Sequence, residues 1–276
     1  MPFKSKTDNI VIKRMARLER NFLTALLLAA YVLVLTGLWR PLSLPGKPGW
    51  PGAVLLLLAA AGTIAALARH LPLQNILFAA LVIALASGAA IWLDTTTGIP
   101  FGQFTTGDTS GPKFLGVVPW ALPPIWIVAI LNSRGVARLI LRPWRKLHTY
   151  GFWLIGATTV LTVLFDLALD PFASQVKHYW FWEPTKFPLS WHGAPLVNFF
   201  GWLVVTLLIL AFVTPMLINK HPVHRHPPDF HPLGVWLGGI LLFGAGSATV
   251  GLWSAVALDG IVGVVVAVMA VRGARW

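Results

Sequence analysis

The residues best suited to acid–base chemistry in this chain are its few carboxylates, several of which stand where charge is least welcome. Asp166 and Asp170 are four positions apart at the end of a strongly apolar run, a spacing that puts both on one helical face if the helix continues that far. Acidic groups at membrane depth are costly and call for a role. Held together in an apolar setting, two carboxyl groups divide the work: one keeps its proton as a general acid while the other stays ionised as a base. Asp94 closes an earlier apolar run, and Asp108 and Glu183 lie on polar connections that face the same way. Asp259, inside the last apolar run, either joins this cluster or hydrogen-bonds to a neighbouring helix.

Aromatic residues crowd the same region. The stretch Tyr179-Trp180-Phe181-Trp182-Glu183, followed by Trp191 and His192, is either an interfacial aromatic belt or a set of faces able to stabilise a cation. His178 and His192 are the histidines placed for acid–base or ligand roles. His221, His224, His226 and His231 are broken up by prolines and read as a solvated basic connection rather than a metal site. The glycines and prolines of Gly98–Phe104 and Gly111–Lys113 lack the spacing of a phosphate loop and specify tight turns.

The elements that position these groups are membrane helices. The 276 residues are 57% hydrophobic and 11% charged, with a mean hydropathy of +0.74, which excludes a soluble domain. Apolar runs near 21–39, 51–68, 73–93, 116–133, 150–166, 194–218, 233–252 and 254–271 predict an all-α, polytopic transmembrane helical bundle of about eight spans. The last two share one run that is split around Gly251–Ser254. Residues 1–20 read as a cytoplasmic basic amphipathic segment, and 21–276 as a single transmembrane domain with an uncleaved first span. Alternation of loop charge supports that count, because all but Arg40, Lys47, Lys113, Lys177 and Lys186 of the 21 Lys and Arg residues fall on one side. Both termini are then cytoplasmic, and the long connections Asp94–Leu115 and Leu167–Gly193 lie outside and pack. The net charge of +12 serves topology and anionic lipid, not nucleic acid. The absence of cysteine removes thiolate ligands and nucleophiles.

Several blocks together resemble a known family. They are Gly98-Ile99-Pro100-Phe101-Gly102-Gln103-Phe104, Gly111-Pro112-Lys113-Phe114-Leu115-Gly116-Val117-Val118-Pro119 with Trp126 following, Phe165-Asp166-Leu167-Ala168-Leu169-Asp170-Pro171, Trp180-Phe181-Trp182, and Gly193-Ala194-Pro195-Leu196-Val197-Asn198-Phe199-Phe200-Gly201-Trp202. In order and spacing these are similar to the carotenoid biosynthesis membrane proteins that include the carotenoid 1,2-hydratases acting on γ-carotene and on bisanhydrobacterioruberin. The chain departs from that pattern in having Asp94 where the family has a glutamate, and Thr105-Thr106 where it tends to have aromatic residues.

The resemblance implies a multi-pass enzyme of a bacterial or archaeal-type cell membrane that takes a carotenoid or other isoprenoid lipid, with no cofactor and no metal. Hydrating a terminal isoprenoid double bond requires a proton for the less substituted carbon, a stabilised tertiary cation, and a base for the attacking water. On this reading Asp166, Asp170, Asp94 and Glu183 supply the acid–base groups, with Asp166 or Asp170 the acid. Trp180, Trp182, Trp191 and Trp202 supply aromatic faces, and Phe101, Phe104, His192 and Asn198 complete the substrate-binding set. Two rivals remain: an intramembrane prenyltransferase, suggested by the Asp-x-x-x-Asp spacing but lacking a second acidic motif, and a non-catalytic carotenoid- or lipid-binding protein.

The charge pattern predicts that tags at either end react only with cytoplasmic reagents. An external C-terminus would show that the final two spans have been wrongly divided.

Overall fold

Without water to satisfy backbone N–H and C=O groups, apolar runs of this length close their own hydrogen bonds as helices. The computed structural model describes residues 6–39, 50–184, 189–218 and 228–276. Among them are eight long helices: α1 (Lys6–Trp39), α2 (Trp50–Leu67), α3 (Leu73–Thr97), α4 (Leu122–Ile140), α5 (Tyr150–Pro171), α6 (Leu196–Val213), α7 (His231–Thr249) and α8 (Trp253–Ala274). All but α4 are long and apolar enough to cross a membrane. Helix α1 runs unbroken through the basic segment into its apolar part, Phe22–Trp39. The split between the last two helices falls at Gly251, whose φ of 78° turns the chain.

Helix α4 corrects the expected span 116–133. Residues 116–121 belong to a hairpin and turn, and the helix starts at Leu122 with a proline in its first turn. It packs against α2, α3, α5, α7 and α8, so protein rather than lipid surrounds it. That position tolerates polar side chains that find partners within the bundle. The Asn132 amide donates to Thr63 Oγ1 at 2.9 Å, Ser133 Oγ accepts from Trp236 Nε1 at 3.2 Å, and buried Arg134 donates to the Leu217 carbonyl at 3.0 Å. The low hydropathy of α4 reflects its place at the centre of the bundle.

The two long connections meet at one end of the bundle, as their length and aromatic content predict. Strand β1 (Phe104–Thr106) in the first is joined to the second by an antiparallel ribbon with the tryptophan strand Trp180–Trp182. Between them, β2 (Lys113–Phe114) pairs with β3 (Val118–Pro119); the tryptophan strand is β4. A last short pair, β5 (Ser190–Trp191) and β6 (Ala194–Pro195), leads into α6. The histidine-rich connection with His221, His224 and His226 lies outside the described residues.

Helix α6 presses on the loop that follows α3. A Cβ added at Gly201 would stand 2.5 Å from the Pro100 carbonyl oxygen and 2.7 Å from the Phe101 ring, so only glycine allows this approach. Gly201→Val is expected to destabilise the protein by about 1–3 kcal/mol through overpacking, measured as a lower melting temperature in detergent. Gly88→Ala, which meets nothing within 4 Å, serves as the neutral control, and an unchanged Gly201→Val melt would mean that the loop is not seated on α6.

Candidate active site

Helix α5 continues past Asp170, so the spacing of four turns Asp166 and Asp170 to one face, and both are buried. Pro171 then sits inside the helix. It has no N–H, so the Leu167 carbonyl four residues back loses its helical donor. The indole N–H of Trp191 replaces it at 3.0 Å. Beyond the proline, Phe172–Val176 widens into a π turn, and Ser174 Oγ donates to the Asp170 carbonyl at 2.8 Å.

The carboxyl groups draw their partners from two other elements. Alternation along β4 puts Trp180 and Trp182 on the same face, and both indole N–H groups donate to Asp170 Oδ1, at 3.0 and 2.9 Å. From the first turn of α6, the Asn198 amide donates to Asp166 Oδ2 at 2.8 Å and to Asp170 Oδ2 at 2.9 Å. One amide thus ties the pair together, at a helix end whose dipole favours negative charge. Asp170 accepts three hydrogen bonds, a donor set suited to a carboxylate, and of its roughly four lone-pair sites one remains free. Asp166 accepts one, and its Oδ1 is buried without a partner among the described residues.

These groups line a small, partly open cavity of about 40 Å³, together with Ile91, Phe101, Phe104, Leu122, Trp126, Trp180, Trp182, Asn198 and Trp202. Its wall is aromatic. Trp126 and Trp202 stack at 3.7 Å with their planes 8° apart, Phe101 tilts against Trp126 at 6.0 Å, and Phe104 meets Trp182 edge-on at 5.3 Å. Phe104 and Trp182 are the lining residues that retain some exposure, so the mouth lies at the β1–β4 ribbon.

Asp94 serves this wall from behind. Helix α3 ends at Gly98, whose φ of 70° is the left-handed cap that glycine favours. The chain then folds back so that Asp94 Oδ1 accepts the N–H of Phe101 at 2.7 Å and of Gly102 at 3.1 Å. The aspartate therefore fixes the loop that carries Phe101 and does not itself line the cavity.

Five further sequence candidates stand outside the cavity. Glu183 follows Trp182 in the alternation of the strand and therefore turns from the face of Asp170; its backbone N–H donates to the Gln103 carbonyl at 2.9 Å. Trp191 serves the α5 carbonyl described above. His192 Nε2 bonds Ser254 Oγ at 2.9 Å, latching the loop to the start of α8; partial burial pushes its imidazole below the ordinary histidine range. His178 Nδ1 contacts the Ser174 carbonyl at 2.9 Å, away from the cavity. Asp259 lies against Gly244 of α7 and does not join the pair. Conversely, Trp126, Ile91 and Leu122 line the site without having been singled out as site residues. Trp126 carried a signal in the matched blocks, whereas Ile91 and Leu122 look like any apolar helix residue.

A family model described as carotenoid biosynthesis protein matches residues 51–266. A bisanhydrobacterioruberin hydratase of Haloarcula japonica is 36% identical over 119 residues, which cover 42% of this chain and 38% of that protein. The chain thus aligns with well under half the length of that relative. No solved structure matches.

The bridge predicts an order of damage at Asn198. Asn198→Ala leaves both carboxyl groups short of a buried donor and should cost about 1–3 kcal/mol, and Asn198→Asp should cost more by adding a third carboxyl group. Denaturation in detergent measures both. An unchanged Asn198→Ala would show that the amide does not hold the pair.

Proposed function

The chain belongs to the carotenoid biosynthesis protein family, and from that premise we propose that it adds water across the terminal C1–C2 double bond of an acyclic carotenoid end group. The observation that carries this reading is the Asp166–Asn198–Asp170 bridge facing an aromatic cavity. Two uncompensated carboxylates side by side in such a setting would cost more than one, so the pair retains a proton.

Asp166 is the acid. Its free Oδ1 delivers a proton to the less substituted carbon, C2, and the π electrons of the double bond form the new C–H bond. The tertiary cation left at C1 lies among the Trp126, Trp202, Trp180 and Trp182 rings, whose faces stabilise positive charge. A water attacks C1, and its surplus proton passes to the free lone pair of Asp170. The site ends with its charge unchanged and its proton on the other aspartate; return through a water resets it. The indole N–H groups keep Asp170 oriented and charged until that step.

The substrate suits this geometry. The reacting end group enters at the ribbon mouth and meets the carboxyl pair there, while the polyene remains with the bilayer. The relative named for bisanhydrobacterioruberin supports an acyclic isoprenoid end group, and a bacterial or archaeal-type cell membrane is the compartment that fits.

Expression in a host that accumulates lycopene or γ-carotene, followed by pigment mass analysis, tests the reading. Gain of the mass of one water is the expected result, and Asp166→Asn should abolish it while leaving the protein in the membrane. Gain of an isoprenoid unit would indicate prenyl transfer instead, and unchanged pigment in both hosts would favour a binding role.

A further inference from the structure

The hairpin between β2 and β3 turns on Leu115 and Gly116, with φ of 52° and 71°, closed by the Val117 N–H on the Phe114 carbonyl at 3.0 Å. Two successive positive φ values form a turn in which the first position suits Asn, Asp or Gly and is strained for leucine. The leucine gains nothing from the protein in return, for it is 93% exposed, and Phe114 beside it is 59% exposed. Large apolar side chains presented together at a strained tip imply a partner outside the chain.

We propose that this tip is a wedge seated in the headgroup–acyl boundary of the membrane in which the protein resides. Two observations identify lipid as the occupant. The hairpin is continuous with the lipid-facing surface, because β3 packs on α3, whose outer end exposes Trp92 and Leu93. Trp at such a height marks the interface. In addition, exposed Lys113 stands immediately before Phe114, placing a cation beside the apolar tip where lipid phosphates lie. The base of the hairpin is fixed by buried Val118 and by the Trp120 N–H on the Pro112 carbonyl at 3.0 Å, so the tip is held in place.

The chain contains no cysteine, so Leu115→Cys accepts a single environment-sensitive fluorophore in the full-length protein. In vesicles of phosphatidylcholine and phosphatidylglycerol the label should emit to the blue and lose most of its intensity to nitroxides on the lipid acyl chains. Lys113→Glu in the same background should weaken that quenching when phosphatidylglycerol is present. Water-like emission without quenching would overturn the proposal. So would a blue shift that disappears as protein is diluted in the membrane, which would assign the tip to a second copy. Phe114→Cys provides the same reading should the Leu115 variant fail to fold.

Discussion

Two carboxyl groups on one face of a membrane helix can be kept there only if something other than water solvates them, and in this chain that constraint organises one end of the bundle. The Asn198 amide spans both groups, and it can do so only because α6 begins beside α5 at that height. Two tryptophans give their N–H groups to one oxygen of Asp170. An indole is well suited to this, because it carries a donor and a large apolar ring in the same side chain. The donors hold the aspartate while their rings close the cavity.

The surrounding loops extend the same logic. Pro171 frees a carbonyl at the helix end that carries Asp170, and Trp191 satisfies it. Asp94 holds the loop after α3, and Gly201 lets that loop lie directly on α6. These contacts keep Phe101 against Trp126, which is stacked on Trp202. The wall draws on the α3 loop, α4, α6 and β4, and the carboxyl pair on α5, α6 and β4, so α6 and β4 serve both. Under the proposed hydration, a pocket held from several sides in this way lets a cation form with little rearrangement of its surroundings.

The parts legible in the sequence were those governed by local periodicity. Apolar length placed the helices, and the spacing of four placed Asp166 and Asp170 on one face. The hidden parts depended on partners distant in the chain. Nothing near Asn198 says that its amide meets two aspartates on another helix, and Trp180 and Trp182 read as faces until the strand showed their N–H groups converging. Glu183, Trp191 and His192 shared the composition of a site without its direction, because a short loop can turn a polar group either way. Helix α4 was misplaced at its start because Leu115–Pro119 is apolar enough to resemble a span, while its own polar residues are those a central helix can satisfy.

In the proposed hydration a protein carboxyl group hands a solvent-derived proton to carbon before water attacks. Turnover of an acyclic carotenoid by the purified protein in deuterium oxide tests this directly, with fragmentation mass spectrometry locating the label. Delivery by the carboxyl group predicts one carbon-bound deuterium on the carbon next to the new tertiary hydroxyl. A hydrated product with no deuterium bound to that carbon would contradict it.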